Sequence, residues 1–127
     1  MNLLLDTNRY RDFVDGDPAA MAALQKASRI HLPFVVLAEM RAGFRCGTMG
    51  RENESVLVKF LNRPRVSVLY ADEATTHHYG ALWAQLRKQG TPIPTNDIWV
   101  AALAIQHDLV LFSRDAHFAH LPQVAQH

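Results

Sequence analysis

Leu3-Leu4-Leu5-Asp6-Thr7-Asn8 opens the chain with a continuous apolar run closed by a carboxylate. Three leucines in a row leave no polar face. The run therefore reads as a strand covered on both sides, the environment of a core parallel strand. Asp6-Thr7-Asn8 supplies the residues of a turn or a helix start directly after it.

Working outward, the chain alternates helical and strand-like segments. After Asp17-Pro18 an alanine-rich helical stretch runs to about Ala27, followed by a short Ile30-His31-Leu32 strand. Pro33 stands where a helix can begin, and Phe34 to Gly43 carries that helix. Phe44 to Asn53 holds several glycines and arginines and reads as an exposed, mobile connection. Glu54 to Leu61 suits a helix, Val66 to Leu69 alternates like a strand, and Asp72 to Gln89 is a long amphipathic helix stopped by Gly90. Pro92 and Pro94 stiffen a loop that ends where the next helix starts. From Asp97 to about His107 that helix is apolar on two faces, with Ile98, Ala101, Ala102 and Ile105 on one and Trp99 and Leu103 on the other, so it is largely buried. Leu109 to Phe112 forms a last strand leading into Ser113-Arg114-Asp115. Strands alternating with helices imply an α/β sandwich around a mostly parallel sheet flanked by helices.

With 127 residues, 49% of them hydrophobic, one core and one domain over residues 1–127 are expected. The apolar run at the N-terminus is too short for a signal or membrane-spanning helix, so a soluble, cytoplasmic protein with no membrane partner is expected. Cys46 is the single cysteine, which excludes an internal disulfide and a cysteine-based zinc set. A formal net charge of +1 says nothing about a polyanionic partner. Of the thirteen basic residues only Lys26, Lys59 and Lys88 are lysines, and arginine forks match phosphate oxygens bidentately.

In an open parallel sheet, ligand sites form outside the carboxyl ends of the strands. Asp6 ends the first strand and Asp115 follows the last, while Asp97 falls in the first turn of the buried helix, where backbone N–H groups favour an anion. Each has an ordinary explanation in turn and capping chemistry. Glu39 is different, because it interrupts the apolar run from Phe34 to Met40 on a helix that reads as buried. Its neighbours three and four positions away are Val35, Val36, Ala42 and Gly43, none of which can pair with it. A tertiary arginine, a raised pKa or a metal ion must compensate it. Four acids gathered in one pocket would repel one another and require a cation, and hard oxygen ligands select Mg²⁺ or Mn²⁺ over zinc. Such a pocket suits phosphodiester chemistry, with a water ionised for in-line attack.

These residues resemble a family, the PIN domain, and within it the VapC toxins of bacterial VapBC toxin-antitoxin pairs. The resemblance rests on Leu4-Leu5-Asp6-Thr7-Asn8, on Glu39 in Val36-Leu37-Ala38-Glu39-Met40, on Pro94-Thr95-Asn96-Asp97-Ile98-Trp99-Val100-Ala101-Ala102, and on Phe112-Ser113-Arg114-Asp115 followed by Phe118. It implies a PIN-like three-layer sandwich and a magnesium-dependent endoribonuclease that cuts a structured RNA such as a transfer RNA or a ribosomal RNA loop. It also implies a homodimer held inactive by a VapB-like antitoxin. Asp6 and Asp97 match the family's metal ligands, Glu39 and Asp115 its other two acids, and Ser113 and Asn8 polar positions that support them. Arg9-Tyr10-Arg11 departs from the small or apolar residues common there, which bears on local helix packing. Arg9, Arg11, Arg41, Arg45 and Arg51 are candidate RNA or antitoxin contacts, each equally explained as a solvated surface.

Two rival enzymes fit poorly. A phosphoacceptor receiver needs a lysine after the last strand, and a haloacid-dehalogenase-type phosphatase needs an aspartate where Asn8 stands. A PIN-like module that binds RNA or protein without cutting is the alternative, although all four acids are present. His77 and His78 are adjacent on a helix and point to different faces; His117, His120 and His127 read as surface residues. Tyr79, Trp83 and Trp99 suit core or dimer packing.

Overall fold

The computed structural model describes residues 1–127. Its elements in chain order are β1 (Asn2–Leu5), α1 (Thr7–Val14), α2 (Pro18–Lys26), β2 (Arg29–Pro33), α3 (Phe34–Cys46), α4 (Gly50–Leu61), β3 (Val66–Leu69), α5 (Glu73–Gln89), α6 (Thr95–Gln106) and β4 (Val110–Phe112), then a 3₁₀ turn over Ala116–His120. The sheet runs β3-β2-β1-β4, and every strand pair is parallel. The unbroken leucine run of β1 has the expected cause: it lies between two strands, and Leu3, Leu4 and Leu5 are all 0% exposed. No helix is long and apolar enough to cross a membrane.

Parallel strands must be joined by crossovers, and the helices supply them. Each helix end follows local chemistry. Asp17 caps α2 through a bond to the Ala20 N–H at 2.9 Å, with Pro18 in the first turn. Asp72 and Thr75 form a reciprocal capping box on α5, which ends at Gly90 with a left-handed φ of 73°. α6 packs along α5 and carries Val100 to Ala104 at 2% exposure or less, within one core cluster of 32 buried residues.

One expectation is corrected. The stretch from Phe44 to Asn53 is not a long exposed connection, because α3 continues to Cys46 and α4 already begins at Gly50. Its glycines lie at helix ends or inside a turn of helix, and tertiary packing overrides their weak propensity. The two helices are clamped by Arg41, whose Nε and Nη2 reach the two Glu54 carboxylate oxygens at 3.1 Å each.

β1 leads to β2 on one side and pairs with β4 on the other, so the strand order reverses at β1. The crevice outside the carboxyl ends of β1 and β4 is where such a sheet accepts a ligand. There the Asp6 N–H donates to the Phe112 carbonyl at 3.1 Å, which brings Asp6 beside Ser113, Arg114 and Asp115.

Candidate active site

Asp6 is only 7% exposed. One of its oxygens accepts the Thr7 N–H at 2.8 Å, and the other accepts the Ser113 hydroxyl at 2.7 Å. Ser113 Oγ in turn accepts from Asn8 Nδ2 at 3.3 Å and from the Asp115 N–H at 3.0 Å. One donor and two lone pairs are thereby all used, so the serine has a single favoured arrangement. Asn8 completes the link by accepting the Arg114 N–H at 3.0 Å. Ser113 and Asn8 thus hold Asp6 and the loop that carries Asp115, the supporting place that the family resemblance implied for them.

Asp97 enters from the first turn of α6. Its carboxyl is pushed up to about 6, mainly by burial and then by the charges of Asp115 and Asp6, against a lowering hydrogen bond from His117. Glu39 comes from α3, and it differs from expectation. The residue is exposed at the rim of the crevice rather than buried, and it has a partner: Asn96 Nδ2 donates to Glu39 Oε1 at 3.3 Å. Apolar neighbours in the sequence placed it on a covered face, but the covered residues of α3 are Val35, Val36, Leu37 and Met40, while Glu39 and the adjacent Ala38 are exposed. Its carboxyl is nonetheless held above the ordinary value, first by partial burial and then by Asp6, with the Asn96 bond opposing. The exposure belongs to the whole residue, whereas the carboxyl end lines the crevice, so the two observations agree in direction.

Asp6, Glu39, Asp97 and Asp115 meet around one cavity of about 240 Å³, with Thr7, Asn8, Arg11 and Arg114 completing a lining that has no hydrophobic residue. No lysine or arginine is ion-paired with any of the four acids. A separate apolar groove, around Phe13, Leu24 and Phe60, contains none of them.

His117 was not expected here. Its Nδ1 lies 2.8 Å from Asp97 Oδ2 and 3.0 Å from Asp115 Oδ1, and Asp97, the nearer partner, raises its pKa most. The overlooked signal is local: Asp115 caps the 3₁₀ turn by accepting the His117 N–H at 2.9 Å, and such a turn folds residue i+2 back over its capping carboxylate. Arg9 also behaves differently from an RNA contact. Its guanidinium lies over the Phe112 ring at 4.7 Å and bonds Asp12 at 3.2 Å.

The donor set fits a hard divalent cation. It is dominated by carboxylate oxygens, it carries like charges that raise the pKa of Asp97 and of Glu39, and Thr7 Oγ1, buried without a hydrogen-bond partner, belongs to the same lining.

An all-parallel α/β sheet with an acidic crevice at its switch point defines a class, and a family model described as PIN domain matches residues 3–124. The chain is 32% identical over 119 residues to Ribonuclease VapC1 of Haemophilus influenzae (strain R2866), covering 91% of this chain and 87% of that relative. Among solved structures, VapBC2 from Rickettsia felis, bound to a DNA fragment from their promoter, matches with a TM-score of 0.89 and 26% identity over 100% of this chain and 98% of that one. VapBC-1 from nontypeable Haemophilus influenzae matches with a TM-score of 0.88 and 26% identity over 100% and 97%. The chain belongs to the PIN domain family, in the branch of the VapC ribonucleases.

Proposed function

We propose that this chain, a single PIN domain over residues 1–127, is a Mg²⁺- or Mn²⁺-dependent endoribonuclease and the toxin of a type II toxin-antitoxin pair, cutting a structured RNA such as a transfer RNA or ribosomal RNA in the cytoplasm. The observation that carries this reading is the gathering of four carboxylates around one polar cavity with no lysine or arginine paired to them. A fold has no reason to accumulate such repulsion for stability alone, since each uncompensated acid costs free energy.

Asp6 and Asp97 would hold the cation, with Asp115 and Glu39 completing its surroundings. When bound, the ion supplies positive charge for the phosphate oxygens and lowers the pKa of a water. The chain's own residues do the rest. Ser113 and the Thr7 N–H lock the Asp6 carboxylate in one rotamer, so its lone pairs need no reorganisation. The Asn96 amide orients Glu39 at the rim, where a carboxylate held above its usual pKa is suited to take a proton from the attacking water. Arg11 and Arg114 flank the cavity as phosphate contacts. Beyond Arg11, the cleft of Arg41, Arg45 and Arg51 between α3 and α4 gives a longer RNA a basic surface to follow.

A VapB-like antitoxin partner is supported by the named neighbours, which are VapBC complexes, and a homodimeric assembly is part of the same proposal. Purified chain freed of any antitoxin should cut RNA with Mg²⁺ or Mn²⁺ and stop with EDTA. Cleavage that persists without a divalent ion overturns the mechanism. Expression without a cognate antitoxin should arrest growth, and harmless overexpression of folded protein removes the toxin assignment while leaving the nuclease one. Sequencing of RNA 5′ ends after induction identifies the bond cut.

A further inference from the structure

His117 brings the one imidazole to the edge of the acidic cavity, in contact with Asp97 and Asp115, and nothing in the proposed mechanism uses it. It sits in the last loop of the sheet, on a 3₁₀ turn anchored by Phe118 and Leu121, both 0% exposed. The backbone there is held twice over, since the His117 N–H is bonded to Asp115 Oδ1 at 2.9 Å while Asp115 itself is bonded to Ser113. The fold therefore fixes the backbone from which the half-exposed imidazole reaches the two carboxylates. Its Nδ1 meets Asp97 Oδ2 at 2.8 Å and Asp115 Oδ1 at 3.0 Å, and one ligand atom from each of the three residues lies within 4.8 Å of the others.

Those spacings have a second meaning. In an octahedral site with bonds of about 2.1 Å, neighbouring ligand atoms stand about 3 Å apart, which is the edge length of the coordination polyhedron. The two edges that run from Nδ1, 2.8 and 3.0 Å, match that length, so this imidazole and its two carboxylates have the spacing of adjacent ligands in such a site. A proton or a cation can occupy the Nδ1 lone pair, but not both. When a cation takes it, the proton leaves to solvent and the positive charge between Asp97 and Asp115 is kept. Donor chemistry then decides which ion is favoured: carboxylates alone suit Mg²⁺, while an imidazole raises affinity for the borderline transition ions, Mn²⁺ and those beyond it in the series, more than for Mg²⁺.

We infer that His117 ligates the divalent ion through Nδ1 together with Asp97 and Asp115, so that the site of this chain prefers Mn²⁺, or a neighbouring transition ion, to Mg²⁺. The inference rests on the cation reading of the cavity and adds to it an identified nitrogen ligand and an order of preference. His117 is then a ligand in its own right; a merely structural histidine would bridge the two aspartates by hydrogen bonds and leave the ion an all-oxygen shell.

The test uses the full chain, freed of antitoxin, loaded with MnCl₂ and studied by pulsed electron paramagnetic resonance. Bound Mn²⁺ should show ¹⁴N modulation from a directly ligated imidazole, lost in H117Q, whose amide can still bond the carboxylates but offers no ring nitrogen. Calorimetric titration should show Mn²⁺ binding weakened about tenfold more than Mg²⁺ binding by that substitution. His117 is half-exposed, so the variant is expected to fold, and the wild-type spectrum is decisive without it. Mn²⁺ bound with oxygen ligands only, or an equal loss of both ions in H117Q, overturns the inference while the cation reading stands. Failure of the wild-type chain to bind either ion overturns both.

Discussion

Two aspartates on different helices show how differently one residue type is used in this protein. Asp12 on α1 lies between two arginines: Arg114 forks it through Nε and Nη2 at 2.7 and 2.8 Å, and Arg9 adds a bond at 3.2 Å. The Arg114 fork, first of all, holds the Asp12 carboxyl below its ordinary range. Asp97 faces other carboxylates, and burial and their charges drive it the opposite way, to about 6. Asp12 is electrostatically complete within the chain. Asp97 has no arginine or lysine beside it, only the His117 imidazole, and under the proposed function that contrast separates a residue that braces the site from one that works in it.

The comparison breaks most sharply in activity. Asp97→Asn and Asp6→Ala should each lower RNA cleavage by at least about 100-fold, as removal of a preorganised charge does, whereas Asp12→Asn should cost only a few-fold through a looser Arg114. Single-turnover cleavage rates on one RNA check this, and near-wild-type rates in Asp97→Asn erase the distinction.

A second difference is in stability with metal. At a hundredfold excess over Kd, a divalent ion should stabilise the wild type and Asp12→Asn by about 2.7 kcal/mol, raising Tm, while Asp97→Asn should show little of this gain. Metal-free Asp97→Asn should also melt above the metal-free wild type at pH 7, because the substitution removes a repelled charge without removing volume.

Third comes pH. The folded metal-free chain holds Asp97 above its ordinary value of 3.8, so the stability contributed by the protonated carboxyl is complete below about 4 and lost as pH rises through about 6. Scaled down for the solvent that reaches the cavity, the loss should be on the order of 1–2 kcal/mol. Thermal melts in EDTA between pH 4 and 7 should show it in full in the wild type and reduced in Asp97→Asn, where the smaller contribution of Glu39 remains. Asp12 has the reverse sign: its folded pKa is lowered, so its contribution is present above pH 3.8 and disappears as pH falls below that. The smallest effect expected is accordingly a slight loss of stability in Asp12→Asn at pH 7, read in the same melts and vanishing on the acid limb of the profile, where the wild-type carboxylate is protonated as well.

Much of this was legible along the chain because the physics was local. Leu3-Leu4-Leu5 lacks a polar face and could only be a covered strand, and Gly90 could end α5 because a left-handed residue costs glycine little. Glu39 was found for a reason that proved incomplete, since its place on an apolar helix singled it out although the residue is exposed. His117 was passed over because sequence spacing does not reveal that a 3₁₀ turn returns it to Asp115 while α6 brings Asp97 to the same nitrogen.

Hydrophobic period, capping residues and turn chemistry act over a few neighbouring residues, so the chain alone determined its strands and most helix limits, the parallel sheet and the four acids. How far those acids stand from water, which of them is joined by an imidazole, and which aspartate is neutralised by arginine depend on contacts between residues up to a hundred positions apart. Only the packing of α3, α6 and the last loop around the carboxyl end of the sheet decided them, because charge interactions are set by distance in space and by solvent, neither of which is written in sequence order.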